Sequence, residues 1–393
     1  MKKICILLTI ILVLSLAGCA DSLEGAEVIT VNKAQNSETY VAGEDYQQRW
    51  NFWNSTAARK FTMSENGYYY YNTYGDGLLH FYDFATETDV VLCDQANCDH
   101  TDSVCNARLS SLGTNVESIQ YYDGNLYVMG VSGGITQDVN LYRISADGTK
   151  RGKVGTILTM TQGQSVSTAV HRGYVYCALM QDGSLNKNKL KVYRLSLSGE
   201  DETEVIHTFE AAYGPGAVLK AYGNHLYISY RCYADKDADT DVGNLYRYNI
   251  HTGKAEWLYD TGGTNFAVDN TYLYYSTASE VLAYNMATGE ETVLINQGLM
   301  HFVIEGDYLY CDNNFYVRML PNVEGENKYD SRMITVIDRN TFETVAVIPL
   351  SMPVSYFIGA CGTDLFAEYN FTFFHNDLIP TLAGEPADWE TMN

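Results

Sequence analysis

Basic residues are scarce in this 393-residue chain. Lys and Arg number 25 against 48 Asp and Glu, for a formal charge of −23. That balance argues against nucleic acid as a partner, because binding its phosphates needs basic patches. It suits solubility at a cell surface and favours cationic ligands or metal ions. The apolar run Ile4–Leu16 falls short of the ~20 residues that a membrane-spanning helix needs. No His-Glu-x-x-His, Gly-x-Ser-x-Gly or Gly-rich phosphate loop occurs, so the usual local signatures of zinc proteases, serine hydrolases and nucleotide-binding proteins are missing. Charged residues make up only 19%, and no internal domain boundary is visible.

What the chain does have is a repeat. With 33 Tyr and 32 Gly, its composition is that of a globular β protein. The clearest unit is Glu117–Leu158: an apolar run, the turn Asp123-Gly124-Asn125, then Leu126–Met129. A polar loop, Leu141–Ile144, a second turn at Asp147-Gly148 and a last run follow. Short apolar runs bounded by Asp-Gly turns read as antiparallel strands joined by hairpins. Four such strands in about 40 residues make one blade of a β-propeller.

One anchor, an apolar residue followed by an aromatic just after the first turn, counts the blades. It occurs at Tyr69-Tyr70, Leu126-Tyr127, Val175-Tyr176, Leu226-Tyr227, Leu273-Tyr274, Leu309-Tyr310 and Leu365-Phe366, with successive aromatics 57, 49, 51, 47, 36 and 56 residues apart. The expectation is an all-β propeller of seven four-stranded antiparallel blades, or six if the ends are appendages. Blade seven is the weakest, with Thr372–His375 and Ala387–Met392 as its expected outer strands.

At the N-terminus, Lys2 and Lys3 precede the apolar run, which ends in Leu16-Ala17-Gly18-Cys19. This resembles the lipobox of bacterial lipoproteins. The resemblance implies cleavage before Cys19, acylation of that residue and anchoring at the extracytoplasmic face of a bacterial membrane. Losing Lys2 and Lys3 moves the formal charge from −23 to −25. The expected divisions are a signal at 1–18, a lipidated tether at 19–57 and the propeller at 58–393. Val28–Val31 is a candidate strand that would close the ring by completing the last blade.

Two segments carry metal-ligand chemistry. Cys93, Cys98, His100 and Cys105 offer three thiols and an imidazole within 13 residues, enough for a tetrahedral Cys3His zinc site. Their spacing matches no common zinc finger, and in an exported protein a disulfide between two of the thiols is the plainer expectation. Asp235, Asp237, Asp239 and Asp241 alternate in a long loop, as calcium-wrapping aspartates do. The EF-hand frame fails, with Thr240 where Gly is needed and Tyr246 where Glu is needed, so a solvated acidic loop is the plainer reading. Cys177, Cys232, Cys311 and Cys361 are scattered over different blades and read as packing residues.

The lipobox, the Asp-Gly-Asn-Leu-Tyr repeat at 123–127 and the Cys-x4-Cys-x-His-x4-Cys segment together resemble a family of bacterial lipoproteins of unknown function. Those are described as having a β-propeller similar to that of the low-density-lipoprotein-receptor-related protein. The resemblance covers most of 59–366 and implies a fold and a location. It brings no catalytic residues.

Strand direction alternates within a blade, so loops joining strands two to three leave the same rim as the connections between blades. The cysteine cluster, the acidic loop and the insertion Asn313–Arg332 should therefore share a face. Long loops on a rigid scaffold are where binding usually resides. The leading expectation is a surface-anchored module binding carbohydrate, peptide or an envelope protein. The alternatives are an extracytoplasmic glycoside hydrolase or polysaccharide lyase, whose carboxylates would come from different blades, and an assembly lipoprotein of an envelope complex.

Overall fold

The computed structural model describes residues 37–39, 41, 45, 60–73, 75–162, 164, 166–181, 189–209, 217–233, 241–259, 265–323, 327–350, 356–369 and 372–391. They form seven four-stranded antiparallel sheets, each built from strands consecutive in sequence. The blades span 61–91, 115–161, 166–209, 217–259, 266–295, 301–349 and 356–391. Seven sheets arranged as a ring make a β-propeller, as the repeat requires.

The sequence anchor is the centre of each blade's core. Its apolar member at Leu126, Val175, Leu226, Leu273, Leu309 and Leu365 lies on the second strand and is buried. The aromatic partners Tyr127, Tyr176, Tyr227, Tyr274, Tyr310 and Phe366 are buried as well, on the other face, because alternate side chains of a strand point to opposite sides. Each blade thus buries both faces of its second strand between neighbours. Most tyrosines of the repeat are packing residues, and so are Cys177 and Cys311, whose thiols burial pushes well above their ordinary range.

The turn from third to outer strand repeats one device. The side-chain oxygen of Asp83, Asn249, Asn285 and Asp338 accepts from the amides two and three residues on. A short acceptor placed there satisfies amides that the ladder cannot reach. In blades two to six the register between third and outer strands slips at a β-bulge. Bulges add local twist, which turns the outer strands away from the ring axis.

The ring closes by side-chain packing between blades one and seven. Phe61 and Tyr68 of blade one pack with Phe366 of blade seven at centroid distances of 5.4 and 5.1 Å. Phe61 and Tyr70 meet Phe373 at 5.6 and 5.1 Å. Val28–Val31, expected to complete the last blade, lies outside the described residues; the fourth described strand of that blade is Glu390–Thr391, which pairs with Phe374 and His375.

Part of the expected tether is docked on the propeller. Ser37 N donates to Asn224 Oδ1, and Arg172 donates to the carbonyls of Ser37 and Thr39 and to Asp45 Oδ2. Gly223 makes this approach feasible: its φ is +55°, and a Cβ there would lie 2.2 Å from Glu38 O. Residues 37–39 and Asp45 therefore bridge the first turns of blades three and four.

Candidate functional site

The segment joining blades one and two folds tightly on itself. Asp99 caps its own loop by accepting from the Thr101 amide and hydroxyl, and these bonds hold its carboxyl below the usual range. Asp102 does the same for the Val104 and Cys105 amides at 3.0 and 3.1 Å. Asn97 and His100 both take left-handed backbone with φ +61°. These turns aim Cys93, Cys98, His100 and Cys105 at one point, with their ligand atoms all within 4.8 Å of one another. His100 Nδ1 lies 3.5 Å from Cys105 Sγ, and all three thiols are free. Cys105 is buried, and burial pushes its thiol up to about 11. Burial also raises Cys93, but the amides of Gln95 and Asn106 and the neighbouring thiols outweigh it, leaving that thiol below its ordinary value.

Two arginines brace the loop from outside. Arg108 forks onto the His100 carbonyl at 2.9 and 2.6 Å, and Arg151 donates to the carbonyls of Cys105 and Ser103 at 2.8 and 3.1 Å. Arg151 opens the outer strand of blade two, and Asn106 reaches the Gly148 carbonyl in the turn before it. Gly148 has φ +73°, and a Cβ on it would meet the Leu92 carbonyl at 2.8 Å. The cluster is therefore wedged against a tight turn of blade two, a class that leaves the rim opposite the long loops. Connectivity put it on the long-loop face; it instead contacts the Gly148 turn and Arg151 of blade two.

The long-loop rim is elaborated elsewhere. In blade two the second and third strands run on as a hairpin past Gly133, whose tip residue Ile135 is 76% exposed. In blade six the insertion holds the one-and-a-half-turn helix Asn314–Met319 and a 3-10 turn at Lys328–Ser331. Lys328 Nζ donates to the carbonyls of Arg318 and Leu320, and Asn313 exchanges hydrogen bonds with Met333 N and Ser331 O. This ordered insertion presents Met319, Val323 and Tyr329 at 66, 52 and 41% exposure. Asp235, Asp237 and Asp239 lie outside the described residues. Asp241 opens the third strand of blade four, and its side chain is not among those described.

Around the axis, the inner strands expose a different chemistry. Among the described residues, the seven inner strands carry only two carboxylates, Glu117 and Glu305. Glu305 is engaged by the Gly362 amide at 3.0 Å. Besides His171 of blade three, whose Nδ1 faces Asp45 Oδ1 at 3.2 Å, the buried basic groups on these strands are Lys220 and His301, from blades four and six. Lys220 Nζ donates to the Phe266 carbonyl, and burial brings its ammonium down to about 7. Burial, then Lys220 and Arg318, lower His301 to about 3, so it is a neutral imidazole. Neither has a local sequence signal: one polar residue on an apolar strand reads as noise until its neighbours across the ring are known.

No family model matches the chain, and no curated protein matches it. Solved structures do. A puromycin hydrolase mutant complexed with PGG is 11% identical with a TM-score of 0.52, over 92% of this chain and 56% of that one. A cobalt-substituted apocarotenoid oxygenase from Synechocystis is 11% identical with a TM-score of 0.46, over 75% of this chain and 72% of that one. A chain of a nidogen/laminin complex is 13% identical with a TM-score of 0.39, over 69% of this chain and 89% of that one. The likeness is one of fold. This chain spans little more than half the length of the hydrolase chain, and at such identities no activity travels with the architecture.

Proposed function

We propose that this protein is a lipid-anchored, extracytoplasmic binding propeller that holds a protein or glycan partner on its long-loop rim. One observation carries the reading. Met319, Val323 and Tyr329 are exposed large apolar side chains on one insertion, that of blade six, and Ile135 is exposed on a connection that leaves the same rim. Apolar groups gathered on one surface insertion are the usual core of a binding surface. Exposed apolar residues on the outer strands, such as Val90, Val205 and Val293, are instead spread over several blades and call for no explanation. A glycoside hydrolase or lyase is the less favoured reading: among the described residues the inner strands carry only Glu117 and Glu305 as carboxylates, and Glu305 already accepts from the Gly362 amide.

The experiment is a screen of immobilised glycans and peptides with the full chain in detergent, followed by rim variants. Tyr329→Ala and Met319→Ala should each weaken a probe found in this way about tenfold, or ~1.4 kcal/mol. Unchanged affinity in both variants would place the contact elsewhere.

Anchoring is tested separately. No described helix is long and apolar enough to cross a membrane, and Cys19 is the proposed attachment. Cys19→Ala should abolish incorporation of labelled fatty acid and shift the protein to the soluble fraction. Label retained on that variant, or membrane association surviving a high-salt wash, defeats the assignment.

A further inference from the structure

We infer that Cys93, Cys98, His100 and Cys105 hold one Zn2+ in a closed tetrahedral site, which clips the blade one–two connection to the next blade. This goes beyond the binding reading and stands without it.

The first ground is convergence. Zinc bound at about 2.3 Å to sulfur and 2.0–2.1 Å to nitrogen sets its donors roughly 3.3–3.8 Å apart. The four donor atoms already lie within 4.8 Å of one another, and His100 Nδ1 is 3.5 Å from Cys105 Sγ. A small contraction closes the tetrahedron. A disulfide needs only two of the sulfurs, at about 2.05 Å. It gives no reason for the third thiol and the imidazole to point at the same spot.

The second ground is how the surroundings treat charge. Three thiolates and a neutral imidazole around Zn2+ carry one net negative charge. Donors and cationic groups around an anionic thiolate site stabilise it, and two guanidinium groups lie against this loop. Arg108 and Arg151 then fix the carbonyls of two ligand residues, His100 and Cys105. The guanidinium of Arg151 comes from the next blade, so the support of the site is also the inter-blade contact.

Ligand type names the metal. Thiolate with imidazole suits zinc and excludes calcium or magnesium, which take oxygen donors. Four protein donors leave no open position for a substrate, so the site is structural. Binding releases the thiol protons to solvent, and no oxidant or reductant is involved.

The test uses the full chain, extracted in detergent without reductant. Elemental analysis should find one zinc per chain. Replacing zinc by Co2+ should give the intense visible bands and sulfur-to-metal charge transfer of a tetrahedral thiolate site. In competition with a chromophoric chelator, His100→Ala and Cys98→Ser should each weaken zinc more than 100-fold, and Arg151→Ala on the order of 10–100-fold. A disulfide joining any two of Cys93, Cys98 and Cys105 overturns the proposal. So does a weak, octahedral-type cobalt spectrum, or zinc affinity indifferent to His100→Ala. If the variants fail to fold, the metal content and cobalt spectrum of the unaltered chain decide alone.

Discussion

Phe366→Ala should cost ~3–5 kcal/mol and lower the unfolding midpoint by roughly 5–15 °C. Phe366 is 1% exposed and sits where the last blade meets the first. Its ring packs edge-on to Tyr68 at 5.1 Å and beside Phe61 at 5.4 Å. Among the described residues every blade is made of its own consecutive strands, so no described strand crosses this seam. Side-chain packing joins it, helped by a Cys361 Sγ contact to the Ser64 carbonyl at 3.8 Å. Truncation leaves a cavity at the one place where the ring depends on distant parts of the chain meeting. Phe266→Ala, within blade five, should cost a similar amount through its cavity. It should not expose the ends, whereas Phe366→Ala should also speed proteolysis of blades one and seven. Thermal unfolding with limited proteolysis reads both effects. A loss below ~1 kcal/mol, or equal protection of the end blades in the two variants, would show that the seam is not the weak point.

The blades were legible in the sequence because their signal is local and repeated. An apolar–aromatic pair after a Gly turn, such as Leu309-Tyr310, states its own strand and its own burial on both faces. Even the weak last blade was readable: Thr372–Asp377 and Glu390–Thr391 fall where its outer strands were expected. The four-ligand group was legible for the same reason, its members lying within 13 residues. Its surroundings were not. Connectivity put the cluster on the long-loop rim, whereas it packs against Arg151 and the Gly148 turn of blade two. Strand direction says which rim a loop leaves from, but not what the loop then packs against.

Least legible was the docking of residues 37–39 and Asp45. Arg172 reaches back 127 to 135 residues for its partners, and nothing near it announces that it is buried. As the residue of a tight Arg-Gly turn, with φ +45°, it reads as an exposed loop cation. Only the folded ring shows that this turn meets another chain segment.

That buried arginine carries the second large effect. Arg172→Ala should cost ~3–5 kcal/mol, because it strips a buried carboxylate of its counter-charge. Arg172 Nη2 lies 3.1 Å from Asp45 Oδ2, and both side chains are almost wholly buried. Burial raises the Asp45 carboxyl, while the Val41 amide and Arg172 act to hold it ionised. Without the guanidinium, the Ser37 and Thr39 carbonyls and Asn224 Oδ1 each lose a donor as well. Segment 37–45 should then detach before the blades melt, opening a protease site in the N-terminal 60 residues well below the midpoint. Asp45→Asn combined with Arg172→Met separates charge from packing. Removing both charges avoids an orphaned ion, so the double variant should be more stable than Arg172→Ala although it changes two residues. Additive losses would mean that the pair is not coupled. An unchanged midpoint and proteolysis pattern in Arg172→Ala would mean that the docked segment contributes nothing to the ring, and that the whole of 19–57 behaves as a tether after all.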